Sequence, residues 1–459
     1  MRLASPWQPR LGETAGPPYE RLVAALAEDI AAGSVPAGAR LPPHRDLAFQ
    51  LGIGLGTVTR AYAVLERRGL VQSERGRGMF VAGSILRART VVDLSVNTPP
   101  QMLSDRLMTA TLATLTGRLG AESFGRYCPA AGRDDHRMLM ARWLADHRLA
   151  IAPDRLLLCN GAQHALSIAL ALACPRGGLL LTEAVTYPGA IALARHADYR
   201  MKPLDIDEEG LRPEALDRAL RSRTDHGPVA LYVTPTLQNP TAATMGLARR
   251  QDIVRLCRAH DVTIVEDDVY SLFTPPDLPA LAALAPERSL YVNGLSKNLS
   301  PGLRIGVLAT PPGLIDRALA MLQTTSTMAS PLCNLIMAQW LTDGTATSVG
   351  ASVRAEAARR MAMARAALPG QLAASGSNGF HAWLPMPMAA ALHVAEGAAA
   401  LGVMVTPPSA LAVDPTVQLS GIRLCLGAPP PDELAHGLAV IAKLLAQGAG
   451  GDYGLPAVI

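Results

Sequence analysis

Lysine is nearly absent from this chain: in 459 residues it occurs only at Lys202, Lys297 and Lys443, and arginine supplies the rest of the positive charge. Any chemistry that needs a side-chain primary amine therefore has three candidates. Aromatic residues make up only 4%, and no run of about 18 apolar residues occurs, so no membrane-spanning helix and no membrane partner is expected. The N-terminal stretch Met1 to Gly16 is polar and broken by proline rather than basic and then apolar, which argues against a secretory leader and for a cytoplasmic protein. Cys128, Cys159, Cys174, Cys257, Cys333 and Cys425 form no Cys-x-x-Cys pair, which disfavours a disulfide framework and a zinc site. No metal is expected.

What is present points to more than one folded unit, because the chain exceeds an ordinary domain and about half of it is apolar. The net charge of +4 is mild, but residues 1–82 hold 10 Arg, no Lys and 7 acidic residues, a local surplus of +3. In that region Tyr19, Leu22, Leu26 and Ile30 recur at helical spacing and Gly33 follows as a stop. Pro42 and Pro43 open a second helix that runs through Leu51. Gly52-Ile53-Gly54 breaks it before a third, from about Gly56 to Arg68. Val71-Gln72-Ser73 and Met79-Phe80-Val81 read as two strands around a glycine-bearing tip that holds Arg75 and Arg77. The sum is a helix-turn-helix with a wing. A helix presenting Thr57, Thr59 and Arg60 near its start suits the major groove, and the wing arginines suit phosphates or the minor groove. A protein-interaction module with solvated arginines is the alternative.

The segment from Tyr19 onward resembles the GntR family, in Ala37-Gly38-Ala39-Arg40-Leu41-Pro42-Pro43-His44-Arg45-Asp46-Leu47-Ala48 and in Thr57-Val58-Thr59-Arg60-Ala61-Tyr62-Ala63-Val64-Leu65-Glu66. The resemblance implies double-stranded operator DNA as partner and a DNA contact by Arg45. The family commonly carries Ser-Arg where this chain has Gly54-Leu55, which removes a helix cap and a DNA contact.

Periodicity is lost after Val81, and residues 83–92 are expected to be a short linker between a head, 1–82, and a large domain, 93–459. In the large domain short β-like runs (Arg155 to Cys159, Leu179 to Thr182, Val229 to Thr234, Val262 to Glu266, Ser289 to Asn293) alternate with helical patterns such as Gln163 to Cys174 and Ala248 to His260. That alternation predicts an α/β domain with a mainly parallel sheet and functional loops at strand ends. Several ends carry residues that fit pyridoxal 5'-phosphate, which needs an amine, a carboxylate near the pyridine nitrogen and phosphate donors. Lys297, in Ser296-Lys297-Asn298-Leu299, is the candidate for the Schiff base, while Lys202 and Lys443 read as solvated. Ser296 and Arg304 suit the phosphate, as do backbone N–H groups at Ala162 and Gln163, just after Gly161. Asp267 suits the ring nitrogen, Asn239 and Tyr270 the ring hydroxyl, and Tyr187 the ring face.

Jointly these residues resemble fold-type I aminotransferases across nearly all of residues 93–459. The resemblance implies a small C-terminal α+β subdomain at about 340–459 and a homodimer. It also implies that Tyr127 reaches the phosphate of the neighbouring subunit and that Arg423 clamps a substrate carboxylate; a structural salt bridge is the competing reading of Arg423. Gly294 stands where relatives often have a hydroxyl, and Ala242 replaces the usual glycine after Asn-Pro-Thr. The fusion of the two halves resembles the MocR subfamily of GntR regulators, which implies a transcription regulator that senses pyridoxal phosphate, an amino acid or another amine. A working aminotransferase with a DNA-binding head, and an apo scaffold, are the alternatives.

Overall fold

The structure, a computed structural model, describes residues 7, 9–11, 16–31, 34–36, 38–67, 70–74, 78–81, 91–117, 119–120, 125–224, 227–374 and 378–448. Of the expected linker, residues 83–90 lie outside the described residues, as do the wing-tip residues Arg75 and Arg77, whereas Val92, expected in the linker, opens the first strand of the second unit. The chain divides into two compact units, Met1–Val91 and Val92–Ile459.

In the first unit, α1 (Pro18–Ala31), α2 (His44–Leu51) and α3 (Leu55–Arg67) precede the antiparallel pair β1 (Val71–Glu74) and β2 (Gly78–Val81). Leu22 and Leu26 of α1 and Val58, Ala61, Tyr62 and Leu65 of α3 are almost wholly buried, so the two helices share one apolar seam. Pro43 has no N–H to leave unpaired and precedes α2; Gly52 ends it in the left-handed region (φ 64°), its N–H reaching the Ala48 and Phe49 carbonyls. The Tyr62 hydroxyl donates to the Pro42 carbonyl at 2.9 Å, which pins the start of α2 to α3. Residues ahead of β1 tie the wing in: Leu41 N–H donates to Met79 C=O and Val81 N–H to Ala39 C=O. One anchor escaped the sequence reading. Trp7 is buried on α1, its indole N–H donating to Asp29 at 2.9 Å.

The second unit starts at β3 (Val92–Asp93) and continues through β4 (Leu156–Cys159), β5 (Leu179–Glu183) and β6 (Arg200–Leu204). A small hairpin of β7 (Ile206–Asp207) and β8 (Gly210–Leu211) leads to β9 (Val229–Val233), β10 (Thr263–Asp267), β11 (Ser289–Gly294) and β12 (Gly306–Ala309). Seven of these strands form one sheet in the order β4-β12-β11-β10-β9-β5-β6. All its pairings are parallel except those of β12, which runs antiparallel to both neighbours. Both faces are covered. Along β4, Leu156 and Leu158 enter one core while Leu157 and Cys159 enter the other, the period-two alternation of a strand buried on both sides. The alanine-rich helix Ala162–Ala173 fits tightly over the second face.

A smaller core gathers the antiparallel pair β13 (His381–Pro385) and β15 (Gly421–Cys425), the short β14 (Val403–Met404), and the helices Met388–Ala400 and Pro431–Gly448. The expected subdomain boundary needs two amendments. β3 pairs in parallel with β14, and Val92 and Leu94 are buried in this smaller core, so the lobe recruits the very start of the unit. The helix Thr345–Ala367 belongs to both lobes: Ala346, Val349, Val353 and Ala357 pack in the larger core, Met361 and Ala364 in the smaller. No helix among the described residues is long and apolar enough to cross a membrane.

Candidate functional site

The carboxyl ends of the parallel strands open onto a cavity of about 560 Å³, the place where open α/β sheets hold ligands. Ala162 and Gln163 reach it after β4, Tyr187 after β5 and Asn239 after β9. Asp267 ends β10 with Tyr270 close behind, and Ser296, Lys297 and Arg304 follow β11. Arg423 enters from β15. Ten residues scattered over 262 positions thus converge on one space.

Lys297 is the only lysine there. Burial, helped by the guanidinium groups of Arg423 and Arg304, pushes its amine down to about 8, against the opposing pull of Cys425 and Asp267. Its Nζ donates to the Asn97 carbonyl. Asp267 is buried, and loss of water lifts its carboxyl to about 6 although Tyr232 donates to Oδ2 at 2.9 Å. Its other oxygen, Oδ1, is buried with no hydrogen-bond partner among the described residues. An orphaned carboxylate oxygen at a cavity wall calls for a donor from the cavity. The pyridinium N–H of pyridoxal phosphate is such a donor, so the residues present fit that cofactor.

At the opposite end the chain builds an anion seat. The helix Ala162–Ala173 makes its first internal bonds from His164 and Ala165 N–H to Gly161 C=O, which leaves the Ala162 and Gln163 N–H groups as first-turn donors. Gly161 has φ +87°, and a Cβ there would stand 2.3 Å from Arg304 Nη2. Only glycine lets that guanidinium lie against the helix start. Gln163 is turned sideways, donating to the Gly189 carbonyl at 3.1 Å. That carbonyl belongs to the first turn of the helix Pro188–His196, just after Tyr187, whose ring would meet any Cβ at Gly189 within 2.6 Å. Gly294 has a similar reason: a Cβ would press on the Ile305 carbonyl at 2.9 Å and on Ala162.

Arg423 is buried and has no carboxylate partner among the described residues, so the salt-bridge reading is not what the structure holds. Nη1 donates to Asn239 Oδ1 at 2.6 Å, Nη2 to Ser95 C=O at 2.7 Å and Thr406 Oγ1 at 2.8 Å, and Nε is buried without a partner. The Tyr270 hydroxyl accepts from Asn97 Nδ2 at 2.7 Å. Asn239 is presented by a loop that Gln238 pins, its amide donating to Val185 C=O at 2.8 Å. Ala242 closes that loop at φ +59°, a left-handed conformation that explains why glycine is usual there. Tyr127 is not brought to this cavity; the residue is 82% exposed.

Sequence reasoning missed Ser95, Asn97, Thr406 and Tyr232, which hold the named residues in place. It also missed His381, buried against Tyr270 and pushed down to about 3 by burial and the Arg423 charge. No spacing signal links these positions to Lys297 or Arg423.

In the first unit, Arg45 lies exposed on α2 and Thr57 is half-buried at the start of α3. Thr59 is exposed, but its hydroxyl donates to the Leu55 carbonyl at 3.0 Å. Arg60 is exposed and stacked 4.1 Å over the Tyr19 ring, with Nη2 3.4 Å from its hydroxyl.

Residues 89–441 match the family described as aminotransferase class I and II, and residues 18–81 match the bacterial regulatory proteins of the gntR family. The chain is 26% identical over 450 residues to the uncharacterized HTH-type transcriptional regulator YdeF of Bacillus subtilis, covering 96% of each. It is 28% identical to the probable rhizopine catabolism regulatory protein MocR of Rhizobium meliloti, over 72% of each chain. To the vitamin B6 salvage pathway transcriptional repressor PtsJ of Salmonella typhimurium it is 27% identical, over 79% of this chain and 84% of that one. Among solved structures, an archaeal alanine:glyoxylate aminotransferase superposes with a TM-score of 0.71 at 21% identity, over 85% of this chain and 95% of that one. LysN, an α-aminoadipate aminotransferase from Thermus thermophilus, gives 0.70 at 24% identity, over 80% and 95%. At such identities these two speak for the fold.

Proposed function

From the premise that the chain belongs to the aminotransferase class I and II family and carries a GntR-family head, we propose that it is a transcription regulator whose body binds pyridoxal phosphate at Lys297 and reports an amine or amino acid to the head. The observation that carries this reading is one cavity pairing the chain's single pocket lysine with Asp267, whose Oδ1 is buried and unpartnered, in a molecule that begins with a winged helix-turn-helix.

The bound cofactor supplies an aldehyde carbon open to amines and an electron-accepting ring. Each of the chain's own groups would then have a role that its place in the cavity supports. Lys297 offers an amine that is substantially neutral near pH 8. Asp267 Oδ1 would accept from the ring N–H, Tyr187 would cover a ring face, and Asn239 and Tyr270 would take the ring hydroxyl. The first-turn N–H groups, Ser296 and Arg304 would hold the phosphate dianion through charge-assisted hydrogen bonds. Arg423, with Nε uncommitted, takes the carboxylate of an amino-acid effector. Exposed Tyr127 serves the phosphate of a second subunit in a homodimer. The head binds operator DNA, and ligand in the body shifts that binding by its different affinity for the two states.

The test is a gel-shift titration of the full-length protein on the DNA upstream of its own gene, with and without pyridoxal phosphate and a panel of amino acids. Ligand-dependent retardation is expected, and Arg45→Ala is expected to weaken it while leaving the visible cofactor spectrum intact. Retardation indifferent to pyridoxal phosphate, with no visible absorbance in the purified protein, would sink the sensing role.

A second reading is favoured by the depressed amine of Lys297, which has the acidity of a working base: the body turns over as an aminotransferase. Repeated keto-acid formation from an amino acid separates it from a single unproductive exchange.

A further inference from the structure

The exposed residues of α3 form a row. Leu55, Thr59 and Ala63 follow at i, i+4 and i+8, all exposed, with Gly56 and Arg60 beside them. Leu55 is 45% exposed at the first residue of the helix, and on α2 Phe49 is 90% exposed, four residues after exposed Arg45. The polar groups of the row are already engaged. The Thr59 hydroxyl is given to the Leu55 carbonyl, which leaves its methyl as the uncommitted part, and Arg60 is held over Tyr19. What the helix offers a partner along this row is therefore an isobutyl group and two methyls, with Arg60 beside Thr59 on the same helix and Arg45 exposed on α2.

In the major groove the one apolar group on a base edge is the C5-methyl of thymine. We infer that α3 reads thymine methyls, with Leu55 and the methyl of Thr59 as specificity-determining contacts and Arg45 and Arg60 on the flanking phosphates. The inference rests on the reading of the head as a DNA-binding unit. Four helical residues advance about 6 Å, close to two base steps of about 3.4 Å each, so for a helix lying along the groove the two methyls stand about two base pairs apart. Duplex DNA fits this row because it is narrow and small in side chain, with the exposed cation Arg60 beside Thr59. The same geometry explains how the head tolerates Gly54-Leu55 where its family commonly carries Ser-Arg: a methyl-reading contact replaces a polar one.

Selection of the full-length protein against a random-sequence duplex library gives a bound sequence, in which each thymine is then replaced in turn by deoxyuridine. That change removes only the methyl group. Two positions about two base pairs apart are expected to lose about fourfold in affinity each, the worth of one buried methyl-sized group. Leu55→Ala is expected to bind the thymine and uracil duplexes equally at one position, and Thr59→Ser, which keeps the hydroxyl, at the other. Uracil duplexes bound as tightly as thymine duplexes, or a Leu55→Ala protein that still loses affinity at both positions, would overturn the inference and leave DNA binding standing. So would a Leu55→Ala protein whose DNA binding is unchanged but whose oligomeric state differs, since that assigns the row to a protein contact. A library that yields no bound sequence would overturn the reading of the head and this inference with it.

Discussion

A lysine amine in water holds its proton to above pH 10, whereas burial brings that of Lys297 to about 8. The nucleophile is the neutral amine, so the rate at which apoprotein captures pyridoxal phosphate is expected to rise as pH climbs through about 8 and to level off above it; rapid-mixing absorbance checks this. Lys297→Ala is expected to abolish the borohydride-fixed label that Lys202→Ala and Lys443→Ala leave in place. Asp267 is raised to about 6 by burial, so the folded state holds that proton more tightly than the unfolded chain does. Its contribution to stability is present at low pH and is lost as pH rises through about 6. Asp267→Asn, which cannot ionise, is expected to flatten that part of the stability profile of the apoprotein while weakening cofactor binding. Lys297 was legible because lysine is so rare here and Arg304 lies near it in sequence. Asn97 and Ser95 were not, since their bonds to Lys297 and Arg423 span 200 and 328 residues and leave no local pattern.

Among elements, the turn from β4 into the helix Ala162–Ala173 decides how an anion is held. Gly161→Ala would drive a Cβ to 2.3 Å from Arg304 Nη2, and losing one charged hydrogen bond costs roughly 1.5–3 kcal/mol. Affinity for pyridoxal phosphate is expected to fall roughly ten- to a hundredfold, the range of one such bond, with pyridoxal, which lacks the phosphate, little affected; fluorescence titration of both ligands tests it. At Ala242, replacement by glycine relieves about 1 kcal/mol of left-handed strain but removes a buried methyl worth about 0.8 kcal/mol. The melting temperature is expected to stay within about 2 °C of the parent. The alternation of apolar runs and helical patterns was enough to foretell a mostly parallel sheet. It did not foretell β12, because Gly306-Val307-Leu308-Ala309 is apolar throughout and buried on both faces, and such a run carries no mark of direction.

Taken whole, the molecule has two units with separate apolar cores, Leu22, Leu26, Tyr62 and Leu65 in the first and the sheet and its covering helices in the second. Residues 1–91 are therefore expected to fold without the remainder, unfolding cooperatively in calorimetry, and to bind duplex DNA more weakly and without any response to pyridoxal phosphate. In the sequence the loss of pattern after Val81 was the sign of a division, and the compact units meet at Val91 and Val92. The recruitment of Val92 into the smaller lobe was not, because a two-residue strand has too few side chains to announce its partner.

That recruitment has a mechanical consequence. The residues that begin the second unit run from a strand of the smaller lobe straight into the cavity, where Ser95 receives Arg423 and Asn97 receives Lys297. Val92 thus stands three residues before the carbonyl that receives the guanidinium of Arg423 and five before the one that receives the amine of Lys297. A displacement of either side chain is therefore expected to be felt at β3 itself, through the carbonyls of its own neighbours in sequence.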